Sequence, residues 1–380
     1  MHVCFIEDTD LRGGTQIWVS EAIRDFRAAG VEVTLLTSAT GFNAEDGRKT
    51  DARVVTYDWN TIVQTIDGGD EPGRRIWTGA LADADIAVCT VHPPRDGFHC
   101  SVLAADCIAA AGLRTVLVPK TGTIVPSYEK RFYKPEPEIF YDVVAITGFT
   151  RDALVSDYGV PADHVHLVYQ GTELERFRTD PARRAEARRR YPLPAGAGPV
   201  LGCLGSFEER KAQALLLDAV DLVRKTSPNV HLMLVGDGPD KEMLGGKVAE
   251  LGLDENVTFC PFTSEPEYAF EVIDVTVLSS VRKEGLPNVL LESMAMSTPV
   301  VSTRLAGTPE VVLEGETGLL VEPGDVEALA GAIERIWADR KTYARMAAAG
   351  RALMENEFDK VRQFGRFREH FQALADARPS

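Results

Sequence analysis

Short apolar runs rich in β-branched residues recur along the chain, and between them lie stretches whose apolar positions repeat every three to four residues. In the first half, His2 to Ile6, Val31 to Leu36, Asp85 to Thr90, Thr115 to Val118 and Val143 to Thr147 read as buried strands. In the second half, Val200 to Gly205, Val230 to Val235, Val257 to Phe259, Val275 to Leu278 and Val300-Val301 do the same. Helical spacing appears around Ile17, Val19, Ala22, Ile23 and Phe26, over 325–337 and over 341–357. The last run, KVRQFGRFREHFQALADA, predicts an amphipathic helix. Residues 40–52 and 66–75 are polar and glycine-rich and predict loops. Strand–helix alternation thus runs through the chain twice. That predicts an α/β protein of two Rossmann-like, doubly wound domains facing a cleft. Residues 178–199, rich in Arg, Ala, Pro and Gly, predict a helix followed by a linker between them.

The most informative stretch is 275–312, VTVLSSVRKEGLPNVLLESMAMSTPVVSTRLAGTPEVV. Val275 to Leu278 is a strand bounded by Ser279 and Ser280. Pro287 is expected at the first helical position, where a missing N–H loses no hydrogen bond. Thr298-Pro299 stops that helix and Val300 begins the next strand. Glu284 lies in the loop and Glu292 in the helix, with seven residues between them. The amides of Leu286, Asn288 and Val289 fall at the helix N-terminus, where backbone donors lack internal partners and the dipole is positive. A diphosphate can take those bonds. Two carboxylates beside it suit a hydroxyl-rich ligand, because an ionised carboxylate only accepts and sugar hydroxyls donate.

Length and charge narrow the picture further. A chain of 380 residues with 44% hydrophobic content can build two cores. No apolar run approaches the ~18–20 residues of a spanning helix. The start, MHVCFIEDTD, turns acidic at once and is expected to be a strand, not a leader. The six cysteines show neither C-x-x-C nor metal-ligand spacing, so they are expected to be small core residues in a reducing cytoplasm. A net charge of −16 argues against nucleic acid and against electrostatic docking on anionic lipid.

Other candidates follow strand ends. Gly13-Gly14 stands at a strand-to-helix turn, where a ligand can approach the backbone closely, although a tight turn explains it equally well. Asp8-Thr9-Asp10 has the D-x-D form of a metal site, but a strand-end loop often carries acids and that is the preferred reading, and Asp83-Ala84-Asp85 reads as loop before a strand. His92 follows a strand's carboxyl end, where α/β sheets bind ligands, and His99 is the weaker histidine.

The strand of 275–278 with EGLPNVLLESMA, TPVVST and AGTPEVV strongly resembles the retaining family 4 glycosyltransferases, which have the GT-B fold and an E-x7-E motif. That resemblance implies a hexosyltransferase that takes a sugar from a nucleotide-diphosphate sugar, a UDP-sugar by expectation, with no other cofactor and no metal. It implies Glu292 as ribose ligand, Glu284 as the carboxylate facing the donor sugar, and His92 as a donor-sugar contact. Gly14 is the expected contact to donor phosphates or sugar. Aligning LGCLGSFEERKAQ with the family's G-R-L-x-x-x-K-G pattern puts Lys211 on its phosphate lysine. Ser206 falls where the family has a phosphate arginine, and Arg210 stands one residue from Lys211 as its substitute. The loop Cys260-Pro261-Phe262 is expected against the nucleobase. Loops after the fifth strand shape the acceptor pocket in the family, which makes Lys120, Thr121 and Tyr128 acceptor candidates. The implied domains are 1–176 with a returning helix 360–380 for the acceptor, and 177–359 for the donor. The implied chemistry is front-face transfer with retention, the leaving phosphate assisting the acceptor proton.

Residues 1–175 carry about 15 Lys and Arg against about 26 Asp and Glu. An acidic field favours neutral or cationic ligands, so the expected acceptor is a small hydroxyl compound, such as an amino-sugar or aminocyclitol, or a glycan. The expected partners are the nucleotide sugar and that acceptor, with no nucleic acid and no stable membrane insertion. A homodimer is compatible with this reading. Two other readings remain at this point: a nucleotide-sugar epimerase of the same fold, which would convert donor alone, and a non-catalytic sugar-nucleotide sensor.

Overall fold

The computed structural model describes residues 1–7, 14–58, 71–91, 99–122, 130–282 and 284–378. The chain forms two compact units, 1–169 with 363–380, and 170–362. The boundaries expected at 176 and 359 therefore fall at 169 and 362.

The first unit contains β1 (His2–Glu7), α1 (Gly14–Ala28), β2 (Glu32–Ser38), α2 (Phe42–Gly47), β3 (Arg53–Tyr57), α3 (Glu71–Leu81) and β4 (Ile86–Val91). It continues with α4 (His99–Ala111), β5 (Val116–Thr121), β6 (Val143–Ala145), α5 (Gly148–Ser156) and β7 (Val165–Leu167). Among the described residues its seven strands form one parallel sheet in the order β3-β2-β1-β4-β5-β6-β7. The strands are apolar on both faces because helices cover both, as a parallel sheet requires. On one face Val3, Phe5, Val33, Val88 and Val118 pack under Trp18, Ile23 and Phe26 of α1. On the other, Cys4, Ile6, Leu36 and Cys89 pack under Trp77, Leu81, Leu103 and Ile108 of α3 and α4.

The second unit contains α6 (Pro181–Arg190), β8 (Val200–Leu204), α7 (Gln213–Arg224), β9 (His231–Val235), α8 (Lys241–Leu251), β10 (Val257–Cys260), α9 (Pro266–Phe270) and β11 (Val275–Leu278). Then follow α10 (Asn288–Ala295), β12 (Val300–Thr303), α11 (Thr308–Val311), β13 (Gly318–Val321), α12 (Val326–Ala338) and α13 (Arg340–Glu357). Among the described residues its six strands are parallel, in the order β10-β9-β8-β11-β12-β13. Strand order reverses between β1 and β4 in one sheet and between β8 and β11 in the other. Ligands of open α/β sheets bind beyond the carboxyl ends of the strands at such points.

The last helix, α14 (Lys360–Asp376), starts in the second unit, and from Gln363 onward it belongs to the first. Phe364, Phe367 and Phe371 are buried in the first core, and the Phe367 ring lies 5.1 Å from Trp18. All six cysteines are buried and free.

Several sequence expectations need correction. Residues 40–52 are not all loop: α2 forms there, because Asn43 Nδ2 donates to Gln16 O at 3.0 Å and Ser20 Oγ at 3.1 Å. A helix held by side-chain hydrogen bonds lacks the apolar stripe that would announce it. Residues 71–75 begin α3, which Trp77, Ala80 and Leu81 bury. Ile17 is 37% exposed while Trp18 is buried, since the returning α14 adds a second apolar surface against α1. Pro287 caps α10 from one residue outside, with φ −68° and ψ 117°.

Candidate active site

The second unit builds its site from the loops after β8, β9 and β11. The first two loops pack backbone against backbone. At Gly236 a Cβ would stand 2.0 Å from Gly205 O, and at Gly238 it would stand 2.4 Å from Phe207 O, so neither position tolerates a side chain. Gln213 Nε2 donates to Ser206 O at 2.8 Å, which fixes the turn at Ser206. Residues 209–211 make one tight helical turn, and Ala212 at φ 51° redirects the chain into α7.

That turn is stitched to the loop after β11. Ser279 Oγ donates to Lys211 O at 2.9 Å, and Val281 N donates to Arg210 O at 2.9 Å. The side chains then converge on one carboxylate. Lys211 Nζ lies 2.6 Å from Glu284 Oε1, Ser280 Oγ donates to the same oxygen at 2.6 Å, and Arg210 reaches it at 3.5 Å. Arg210 is held from behind by Glu208 at 2.8 Å. Glu284 and Lys211 are both largely shielded, with side chains 7% and 15% exposed. Charge-assisted bonds of this kind are strong where water is partly excluded.

Glu284 leads directly into α10. Among the described residues, the amides of Leu286, Asn288 and Val289 have no backbone acceptor, whereas Leu290 N already bonds to Pro287 O at 3.1 Å. Two cations of the 209–211 turn thus reach Glu284, and three free amides follow it at 286, 288 and 289; groups of both kinds stabilise negative charge. Glu292 follows on α10. Burial pushes its carboxyl up to about 7, with Arg176 and Lys360 opposing the rise and Glu267 and Glu173 adding to it.

Sequence reasoning missed Ser280, Glu208, Arg176 and Lys360. Ser280 was visible only as punctuation after a strand, Glu208 sits within the charged run that holds Arg210, and Arg176 and Lys360 meet carboxylates far away in the chain, Glu267 and Glu173. The loop Cys260-Pro261-Phe262 lines a groove of about 350 Å³ with Tyr191, Leu193 and Met233, and Phe262 is 76% exposed.

In the first unit a polar cluster sits at the carboxyl ends of β1, β4 and β5. Glu7 is buried and accepts from Gln16 Nε2 at 3.0 Å and Thr90 Oγ1 at 2.6 Å. Lys120, 3% exposed, rests its ammonium 4.1 Å over the Trp18 ring. Burial pulls the Lys120 pKa down to about 7, with the Glu7 charge working against that. A buried ammonium over an indole face gains a cation–π contact that offsets part of its desolvation. Thr121 is buried, and its hydroxyl accepts from Ile146 N at 3.2 Å. Gly14 is exposed and opens α1. His99 opens α4 with its ring edge-on to Phe132 at 5.9 Å. Asp85 serves structure, accepting from His2 N at 2.7 Å. Asp8, Asp10, His92 and Tyr128 lie outside the described residues.

Residues 198–339 match the family model described as "Glycosyl transferases group 1". This stretch is a glycosyl transferases group 1 domain. It contains the whole Lys211–Glu284–α10 site. The glycosyltransferase domain has curated relatives. The chain is 36% identical over 220 residues to the GDP-mannose-dependent alpha-(1-6)-phosphatidylinositol monomannoside mannosyltransferase of Mycolicibacterium smegmatis, covering 55% of this chain and 56% of that one. It is 26% identical over 234 residues to the 2-deoxystreptamine glucosyltransferase of Streptomyces kanamyceticus, covering 61% and 60%. The chain thus spans just over half the length of the curated relatives it matches. Among solved structures, Anabaena Alr3699/HepE in complex with UDP superposes with a TM-score of 0.84 at 20% identity, covering 98% of this chain and 100% of that one. The two parallel-sheet α/β domains are those of GT-B glycosyltransferases.

Proposed function

We propose that this chain is a retaining, metal-independent hexosyltransferase that moves a sugar from a nucleotide-diphosphate sugar to a small neutral or cationic hydroxyl acceptor. The observation that carries the reading is the convergence of Lys211 and Arg210 on Glu284, at the entrance to a helix with free N-terminal amides. The match of residues 198–339 to a glycosyltransferase family and the names of the curated relatives support the reaction class.

In this reading the bond between the anomeric carbon and the diphosphate oxygen breaks, and its electron pair leaves with the diphosphate. Lys211, Arg210 and the amides of Leu286, Asn288 and Val289 hold that charge without a metal. Arg210 takes the role of the arginine absent at Ser206, since its guanidinium reaches the same carboxylate as Lys211. Glu284 accepts from donor-sugar hydroxyls, and Glu292 accepts from the ribose. The acceptor hydroxyl attacks the face from which the diphosphate departs, and its proton passes to the leaving phosphate oxygen. His92, Gly14, Lys120, Thr121 and Tyr128 keep their proposed roles toward donor sugar and acceptor.

The relatives' names include both GDP-mannose and, for a solved structure, UDP-glucose. A screen of UDP-, GDP- and ADP-sugars, with and without excess EDTA, therefore tests the donor and the metal together. Transfer that persists in EDTA and keeps the anomeric configuration by NMR is the expected result. Loss of transfer on chelation with recovery on Mn²⁺ would overturn metal independence and return attention to Asp8 and Asp10. No hydrolysis or transfer with any donor would overturn the enzyme reading.

A further inference from the structure

We propose that Ser280 is a positioning residue for the Glu284 carboxylate: backed by Thr303 and Thr308, it holds Oε1 to the protein and leaves Oε2 to accept from a donor-sugar hydroxyl. The inference rests on the reading of Glu284 as the carboxylate that faces the donor sugar.

Three donors meet on one oxygen of Glu284. Ser280 Oγ and Lys211 Nζ each lie 2.6 Å from Oε1, and Arg210 Nη1 lies 3.5 Å from it. Among the described residues no donor stands within hydrogen-bond distance of Oε2. An ionised carboxylate accepts about four hydrogen bonds and donates none. The capacity left to a ligand therefore lies on Oε2.

The three donors would fare differently when a nucleotide sugar arrives. Lys211 and Arg210 are cations, and a diphosphate competes with Glu284 for both. Ser280 is neutral and meets no such competition. It is the partner that keeps the carboxylate in place while the cations turn to the leaving group.

The local sequence explains why Ser280 can do this. Successive side chains of an extended chain point to opposite sides. Just after β11, Ser279 Oγ turns to Lys211 O at 2.9 Å and Ser280 Oγ turns to Glu284. One serine thus fixes the backbone of the lysine, and the next fixes the carboxylate that the lysine pairs with.

Ser280 is in turn held by the loop after β12. Thr303 Oγ1 donates to Ser280 O at 2.6 Å, and Thr308 Oγ1 donates to Thr303 O at 2.7 Å. Leu305 N donates to Thr308 Oγ1 at 2.9 Å and closes the turn. Ser280, Thr303 and Thr308 are all buried. Gly307 N donates to Gly285 O at 3.2 Å, which ties the same loop to the residue after Glu284. A chain of hydroxyls therefore runs from the AGTPEVV stretch to the carboxylate. An apolar residue at any link would take a donor from a buried oxygen.

The test measures transfer from UDP-glucose and GDP-mannose by the wild type, Ser280→Ala, Ser280→Thr, Thr303→Val and Glu284→Gln. The preferred donor is then compared with its 2-, 3-, 4- and 6-deoxy forms. With the parent donor, Ser280→Ala should lower kcat/KM about tenfold and Thr303→Val about threefold. Ser280→Thr keeps the hydroxyl and should stay within about twofold of the wild type. The deoxy form for which Glu284→Gln costs least marks the hydroxyl that Glu284 accepts. With that donor the cost of Ser280→Ala should shrink to about twofold or less, because the interaction it supports is already gone. A cost of Ser280→Ala that is equal for every donor would show a merely structural role and overturn the inference, and so would a wild-type rate with the parent donor. Urea midpoints report the fold of each variant, and Thr303→Val, which keeps the side-chain volume, decides if Ser280→Ala unfolds. If Glu284→Gln transfers the parent sugar like the wild type, the sugar-facing reading of Glu284 itself fails. If Glu284→Gln is impaired while Ser280→Ala and Thr303→Val keep wild-type rates, only the present inference fails.

Discussion

Lys211 Nζ lies 2.6 Å from Glu284 Oε1, although the two residues are 73 positions apart. The pair holds the ammonium in place before any donor arrives, so little reorganisation is needed when charge develops on a leaving group. Lys211→Met should lower kcat by about 10²–10³-fold with a smaller change in donor KM, the loss typical of removing one preorganised donor. Arg210→Gln should cost less, because its guanidinium is shared with Glu208. Steady-state kinetics against the preferred donor checks both. A Lys211 variant that raises KM while leaving kcat intact would place Lys211 in ground-state binding only.

Glu292 should link donor binding and stability to pH with opposite signs. Its folded pKa of about 7 lies above the ordinary carboxyl value of 4.5. The folded state therefore binds the proton more tightly, and this group's contribution to stability is full below 4.5 and lost as pH rises through about 7. Donor affinity should move the other way and rise through the same window, as the acceptor form of the carboxylate is populated. Urea midpoints and donor Kd measured from pH 5 to 9 read both limbs, and Glu292→Gln should flatten both.

Lys120 should give a third pH signature. Its folded pKa of about 7 lies below the ordinary 10.5, so the unfolded chain holds the proton more tightly. The contribution from this group is present above 10.5 and is lost as pH falls through about 7. Lys120→Met should remove that slope from the urea midpoint between pH 7 and 9, whatever its effect on the midpoint itself. A slope identical to wild type would mean that the ammonium over Trp18 does not titrate in this range.

The acceptor prediction rests on charge. The relatives' names include both 2-deoxystreptamine and phosphatidylinositol monomannoside. With about 26 acidic against about 15 basic residues in 1–175, a cationic aminocyclitol should be preferred over an anionic lipid, and raising salt should narrow the preference. Competition assays at low and high salt check this. Preferred transfer to an anionic lipid, with tight vesicle binding at physiological ionic strength, would overturn it.

The alternation of apolar strands and amphipathic helices was enough to determine two doubly wound parallel sheets, because a parallel strand buried on both faces has to be apolar throughout. The spacing of Glu284, Pro287 and Glu292 marked the loop and the helix start for the same local reason. Sequence could not show α2, whose Asn43 and Asp46 are held by hydrogen bonds to α1 and not by an apolar stripe. Nor could it show that Arg210 reaches Glu284, that Lys120 lies over Trp18, or that Arg176 pairs with Glu267. Each of those relationships joins residues far apart in the chain, and their charges matter only because burial weakens the screening of water. Sequence periodicity records which face of an element is buried. Which charged groups meet there, and how strongly they act on one another, is decided when the strands take their order and the loops at their carboxyl ends are brought side by side.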